Sequence, residues 1–371
     1  MRRHFWALIV FLLAGTGALA QTQSSAGQPR IVNAKMSTRS AAAGFEREFR
    51  AAVAAQQTAG WMGWAAPIVD GERQMCCWSS WENTSRCCGS CRLEREQTSG
   101  VSGTLVNGDR RVNLENQWLI VMARAERGNL TKLRTFSQEC EIDAAGLPVT
   151  WLTEVNPAQS VALLGSLVRA AQWDRSLEGD DDRSIAKQAV GAIALHKDAS
   201  ADRELEQFIA PNQHEALRKQ VAFWLGSARG RAGFALLQRM VREDPSDKVR
   251  EQAVFGFHVS KLPEGIDAMI AVAKNDRSNH VRGQALFWLG QTAGKKATEA
   301  ISSAIDNDPE TAIKKKAVLA LSQLPKDEGV PMLIQVAKTN KNPEVRKQAI
   351  FWLGQSKDPR ALSFFEEVLR R

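Results

Sequence analysis

The sequence predicts a mainly α fold: a C-terminal right-handed α-solenoid of about six 32-residue helix pairs, preceded by a small disulfide-rich α+β domain. Three observations predict it. The tetrapeptide FWLG begins at Phe223, Phe287 and Phe351, with a constant interval of 64 residues. A looser octet recurs at half that interval. All six cysteines fall between Cys76 and Cys140.

The chain opens with two arginines and then an apolar and small-residue stretch, Phe5 to Ala20, which ends in Ala18-Leu19-Ala20. A basic start, an apolar middle and a small-x-small end predict a signal peptide over 1–20. The stretch is shorter than the roughly 20 residues that a bilayer span requires. The expectation is an exported chain, periplasmic or secreted, that does not span a membrane once cleaved. The net charge of +8 lies entirely from Arg183 onward, where 30 Lys and Arg face 22 Asp and Glu. Basic excess often marks a nucleic-acid partner, but export argues against one. The run Lys314-Lys315-Lys316 reads as a solvated helix face.

Residues 21–38 read as a polar lead-in with a short strand at Ile31-Val32. From Ser40 the pattern turns helical, with Phe45, Phe49 and Val53 on one face. WMGWAAPIV reads as extended. Two strands follow at 117–125 and 130–142, joined by a hairpin turn at 127–129, and Pro148–Leu152 adds a third. These elements make an α+β domain over 39–153. A connecting helix around Ser160–Trp173 and the acidic run at 178–182 occupy 154–184 and lead into the array. That run lacks the glycine and terminal glutamate of an EF-hand loop, so it reads as a solvated loop.

Five cysteines, Cys76, Cys77, Cys87, Cys88 and Cys91, sit within 16 residues, and Cys140 stands apart on a strand. Three readings are open. An even, clustered set in an oxidising compartment suits structural disulfides. Cys88 and Cys91 have zinc-ligand spacing, which Cys76 or Cys77 would help complete. The same CxxC is the spacing of thiol oxidoreductases, though no strand-then-helix context surrounds it. The compartment favours disulfides, with no metal and no cofactor expected.

The octets are KQAVGAIA at 187, KQVAFWLG at 219, EQAVFGFH at 251, GQALFWLG at 283, KKAVLALS at 315 and KQAIFWLG at 347. A second apolar series, from Leu205 to Phe365, keeps the same step. The unit is therefore helix, polar turn, helix, with Pro and Asp in the linkers ending one helix and starting the next. The run from Val345 to Ala361 resembles the consensus of short bacterial HEAT repeats, the type also present in phycobilisome lyases. The resemblance covers 185–371 and implies a stacked helix-pair solenoid that serves as a binding or scaffolding surface. It also implies a protein partner and little loop in which to house catalysis.

Placed at about 100° per residue, Val345, Ala349, Trp352 and Leu353 share one arc. Trp224, Trp288 and Trp352 are thus expected in the core, alternating with Ala192, Gly256 and Ala320 so that large and small residues interdigitate. Phe223, Phe255, Phe287, Leu319 and Phe351 point the other way. They either seal adjacent repeats or form an exposed partner strip. The four later histidines show no metal or triad spacing, and no phosphate loop or paired carboxylates stand out. The expected function is a non-enzymatic adaptor or scaffold, exported, that binds another protein of the cell envelope. The alternative is a thiol-disulfide oxidoreductase or metal-binding enzyme built on Cys88 and Cys91.

Overall fold

The computed structural model describes residues 27–73, 91–94, 112–113, 117–138, 140–173, 184–292 and 294–370. The predicted signal peptide, the acidic run at 178–182 and Cys76, Cys77, Cys87 and Cys88 lie outside them.

Alternation along the strands makes the N-terminal sheet two-sided. The elements in chain order are β1 (Ile31–Val32), β2 (Lys35–Ser40), α1 (Phe45–Ala55), β3 (Gly60–Pro67), β4 (Glu72–Arg73) and β5 (Cys91–Arg92). Then come β6 (Val112–Asn113), β7 (Trp118–Glu126), β8 (Asn129–Ser137), β9 (Ile142–Asp143), β10 (Pro148–Thr153) and α2 (Pro157–Ala170). The main sheet has the order β2-β10-β3-β7-β8. Its β2–β10–β3 part is parallel, and β3–β7–β8 is antiparallel. In β3, Trp61 faces one side while Met62 and Trp64 face the other. The Trp61 side packs with Met122, Trp151 and Leu93. The small sheet β1-β9-β5 supplies Ile142 to the same cluster. On the Trp64 side, Phe45 and Phe49 sit one helical turn apart on α1 and meet the Trp64 ring edge-on at 5.2 and 5.5 Å. Lys35–Ser40, whose first four residues fall in the lead-in expected over 21–38, is the sheet's edge strand. Its side chains are mostly exposed, because an edge strand is held by backbone pairing more than by apolar burial.

The array consists of helix pairs. They are α3 (Ile185–Leu195) with α4 (Ala199–Phe208), α5 (Glu215–Ala228) with α6 (Gly230–Glu243), and α7 (Asp247–Ser260) with α8 (Glu264–Asn275). Then come α9 (Asn279–Gly290) with α10 (Lys295–Asn307), α11 (Thr311–Gln323) with α12 (Lys326–Thr339), and α13 (Pro343–Gln355) with α14 (Pro359–Leu369). The fold is thus mainly helical, with a C-terminal repeat array and a small N-terminal α+β region. Linker side chains start the helices: Ser246 accepts from the Val249 N–H, Asn342 from Glu344 and Asp358 from Arg360.

Sheet and array are joined through a buried polar relay. The Trp64 indole N–H donates to Ser160 Oγ at 2.8 Å, and Ser160 Oγ lies 2.9 Å from His196 Nε2. His196 Nδ1 is 2.7 Å from the Ala192 carbonyl, which accepts only, so Nδ1 carries the proton and Nε2 accepts from Ser160. Burial pushes the His196 pKa down to about 4, so the ring is neutral. The α3 exit also pairs with the end of β3: Val69 N–H donates to Leu195 O and Lys197 N–H to Pro67 O.

Candidate functional site

The first helices of successive repeats lie side by side, and the FWLG residues occupy three different directions on them. In α9, Val281, Ala285 and Leu289 are buried. Phe287 stands opposite that stripe, while Trp288 and Gly290 lie on opposite flanks, about 160° apart. A Cβ added to Gly226 would stand 2.3 Å from the Gly256 carbonyl oxygen, and one on Gly290 2.6 Å from that of Ala320. The glycine flank of one first helix therefore meets the Trp-position flank of the next at backbone contact, and only a small residue fits there.

Every second junction is built the other way. The Trp288 ring lies 4.8 Å from His258 and 4.7 Å from Phe255 of the preceding helix. Trp224 rests on Gly191, where a Cβ would come within 2.6 Å of the indole. Gly-on-small and Trp-on-neighbour contacts alternate down one seam. Trp224, Trp288 and Trp352, expected inside the core, are half-buried and pack against its edge. The reason is angular: Trp352 lies at the margin of the buried arc, on the side facing the preceding repeat.

The phenylalanine row is the outward feature of this layer. Phe223, Phe255, Phe287 and Leu319 are half-buried, and Phe351 is 52 % exposed. The Phe223 and Phe255 rings stack at 6.2 Å across two neighbouring repeats. One turn earlier on the same faces stand Gln220, Gln252, Gln284 and Gln348, half-buried, with side-chain amides that bond no other described residue. His258 closes the row beside Phe255 and is held below the usual histidine range, first by burial and then by the nearby Lys261. The face can therefore offer apolar contact together with unengaged amide donors and acceptors.

Sequence reasoning missed an ion-pair ladder beneath this face. Arg218 bonds Asp244 at 2.7 Å, Arg250 bonds Asp276 at 2.9 Å, and Arg282 pairs with Asp308. Each aspartate caps the second helix of the same repeat, and each arginine is almost wholly buried. The signal was present: both residue types recur every 32 positions. Two cavities accompany the array. One of about 420 Å³ lies between α6 and α8, with Arg242 and Arg277 at its walls. Another of about 340 Å³ lies beside Trp352 and the α11–α12 turn.

Other sequence-predicted positions separate. Cys140 is buried, its Sγ 3.4 Å from Ser137 Oγ. The backbone of Cys91 in β5 pairs with Ile142 of β9, two residues beyond Cys140, so the fold brings those two cysteines onto adjoining segments. Ser160 and His196 form a serine–histidine contact in which both residues are fully buried. Among the described residues no group of three His, Cys, Asp or Glu could hold a metal ion. No described helix is long and apolar enough to cross a membrane.

A family model described as HEAT repeats matches residues 266–338 and 304–371. No curated protein sequence matches the chain. Among solved structures, human deoxyhypusine hydroxylase is similar at 14 % identity, with a TM-score of 0.27, covering 57 % of this chain and 90 % of that one. Escherichia coli YibA is 21 % identical with a TM-score of 0.34, covering 57 % and 80 %. The complex of CpcE and CpcF of phycocyanin lyase from Nostoc is 20 % identical with a TM-score of 0.28, covering 54 % and 77 %. The HEAT-repeat match covers 266–371, and the helix pairs from α3 onward repeat the same architecture, so the C-terminal array is a HEAT-like helical repeat fold.

Proposed function

We propose that this chain is an exported, non-catalytic scaffold that binds another protein of the cell envelope through the outer face of its first-helix layer. One observation carries the reading: the half-buried phenylalanines Phe223, Phe255 and Phe287 lie one per repeat on the side of the first helices away from the core stripe, beside glutamine amides that bond no other described residue. Apolar side chains arranged one per repeat on an outward face form a strip, and such strips mark partner sites. The solenoid adds reach, since each further repeat lengthens the same surface. The charged excess of the array favours an acidic partner.

The test uses the full chain and a Phe255→Gln, Phe287→Gln variant as baits against envelope extracts. The wild type is expected to retain a discrete partner that the variant loses, with both proteins melting within a few degrees of each other. Equal capture by both baits, or none by either, overturns the reading. Cell fractionation with the mature N-terminal mass tests export. A mature chain that begins at Gln21 is expected, and a full-length cytoplasmic chain is the contrary result.

A further inference from the structure

The second helices carry a groove of their own. The cavity of about 420 Å³ between α6 and α8 has an apolar floor of Val241, Val272 and the Phe257 ring. Arg242 and Arg277 stand at its walls. Asp276 also borders it, but its carboxylate is taken up by Arg250 at 2.9 Å. Arg242 is exposed, and its ion pair among the described residues is a long one, 3.8 Å to its chain neighbour Glu243. Arg277 donates from Nη2 to the Asp244 carbonyl at 2.6 Å, a neutral acceptor. The side-chain amides of Gln238 and Asn275, also on the walls, bond no other described residue.

Elsewhere in the array the chain fills the same place itself. Ala271 occupies the position from which a charged side chain crosses between second helices. One repeat earlier that position is Arg239, which bonds Glu206 of α4 at 2.6 Å. Three repeats later it is Glu367, which bonds Lys338 of α12 at 2.6 Å, and Lys338 is the counterpart of Arg242. At the α6–α8 junction the cation is therefore kept, while a methyl group stands where its carboxylate would be. Gln238 likewise stands in the place of Glu206. The next junction repeats the change: Lys274 is the counterpart of Arg242, Ser303 holds the glutamate's position, and Lys274 makes no ion pair among the described residues.

We infer that this groove binds an extended acidic segment of another protein, whose carboxylates take the places left by the missing acidic side chains and whose apolar side chain rests on Phe257. Packed helices lie about 8–10 Å apart, so Arg242 and Lys274 select two carboxylates with that separation on one face. A polyproline II segment has three residues per turn and rises about 3.1 Å per residue, which sets positions i and i+3 on one face about 9 Å apart. Such a segment has no internal hydrogen bonds, and the amides of Gln238 and Asn275 are available to its backbone. The site lies on the second-helix layer and does not depend on the phenylalanine row of the first helices.

Fluorescence anisotropy on the full chain reads the result, with an end-blocked, labelled peptide Gly-Leu-Glu-Pro-Pro-Glu-Leu-Gly and its counterpart with both glutamates changed to glutamine. The glutamate peptide is expected to bind with a Kd on the order of 100 µM, and the glutamine peptide about tenfold more weakly. Arg242→Glu is expected to weaken the glutamate peptide about tenfold. Ala271→Glu supplies the carboxylate from within, as Glu367 does for Lys338, and is expected to weaken the peptide by a similar factor with no fall in melting temperature. Lys316→Glu, a charge reversal on the first-helix layer, is expected to leave binding unchanged. No binding at about 1 mM peptide, equal binding of the two peptides, an unaffected Ala271→Glu variant, or equal losses in Lys316→Glu and Arg242→Glu overturns the inference. So does displacement of the peptide by a short single-stranded DNA at lower concentration than by unlabelled peptide.

Discussion

Arg250 shows how much one side chain holds in place. Its guanidinium is fully buried and donates to both Asp276 oxygens, to Asp247 and to the Asp244 carbonyl. It thereby joins the start of α7 to the end of α8 and to the linker before α7. Removing it leaves Asp276, itself 4 % exposed, as a charge without its partner. Arg250→Ala is expected to cost about 3–5 kcal/mol, read as a fall in the urea midpoint. An unshifted midpoint would show that water replaces the guanidinium. Exposed pairs such as Lys296 with Asp267 are expected to contribute at most about 1 kcal/mol.

At the scale of elements, the glycines of FWLG do different work depending on what lies beside them. Gly290→Ala drives a methyl against the Ala320 backbone, which cannot rotate away, and is expected to cost roughly 1–3 kcal/mol. Gly354→Ala adds helix propensity in open space and is expected to stabilise by about 0.5–1 kcal/mol. Thermal melts of the two variants, shifting in opposite directions, check this, and shifts of the same sign refute the seam. The repeats and their helices were legible in the sequence, because the 32-residue period and the 3.6-residue period are both purely local. The strands of β3, β7, β8 and β10 were legible for the same reason. The polar edge strand β2 was not, since its pairing with β10 joins residues more than a hundred positions apart. Phe287 lies opposite the buried stripe, and Trp288 lies at its margin against the preceding first helix. Helical angle alone fixes direction relative to one helix and says nothing of the next helix along. The Arg–Asp ladder was visible as recurrence but became meaningful only when Arg250 and Asp276 were brought together.

For the molecule as a whole, the relay from Trp64 through Ser160 to His196 fastens two differently built halves. Sheet, connecting helix and first repeat each supply one member, so the sheet and the head of the array are expected to unfold together. Their stability carries a pH signature. His196 titrates near 4 when folded and near 6.5 when unfolded, so the unfolded chain binds more protons between those values. The stabilisation is complete above about pH 6.5 and is lost as pH falls toward 4, by about 3 kcal/mol in all. His196→Gln is expected to flatten this stretch of the stability–pH curve, and an equally steep curve in the variant would place the titration elsewhere.

The alternating seam also sets a parity on the array. Deleting one repeat, α7 with α8, would bring Gly226 to face Trp288, large against a contact that admits only a small side chain. Deleting two, α7 to α10, would bring Gly226 to face Ala320, which is the pairing Gly290 already makes. A chain of this kind can lengthen or shorten by 64 residues without disturbing a single contact class, but not by 32. Its unit of growth is therefore four helices rather than two.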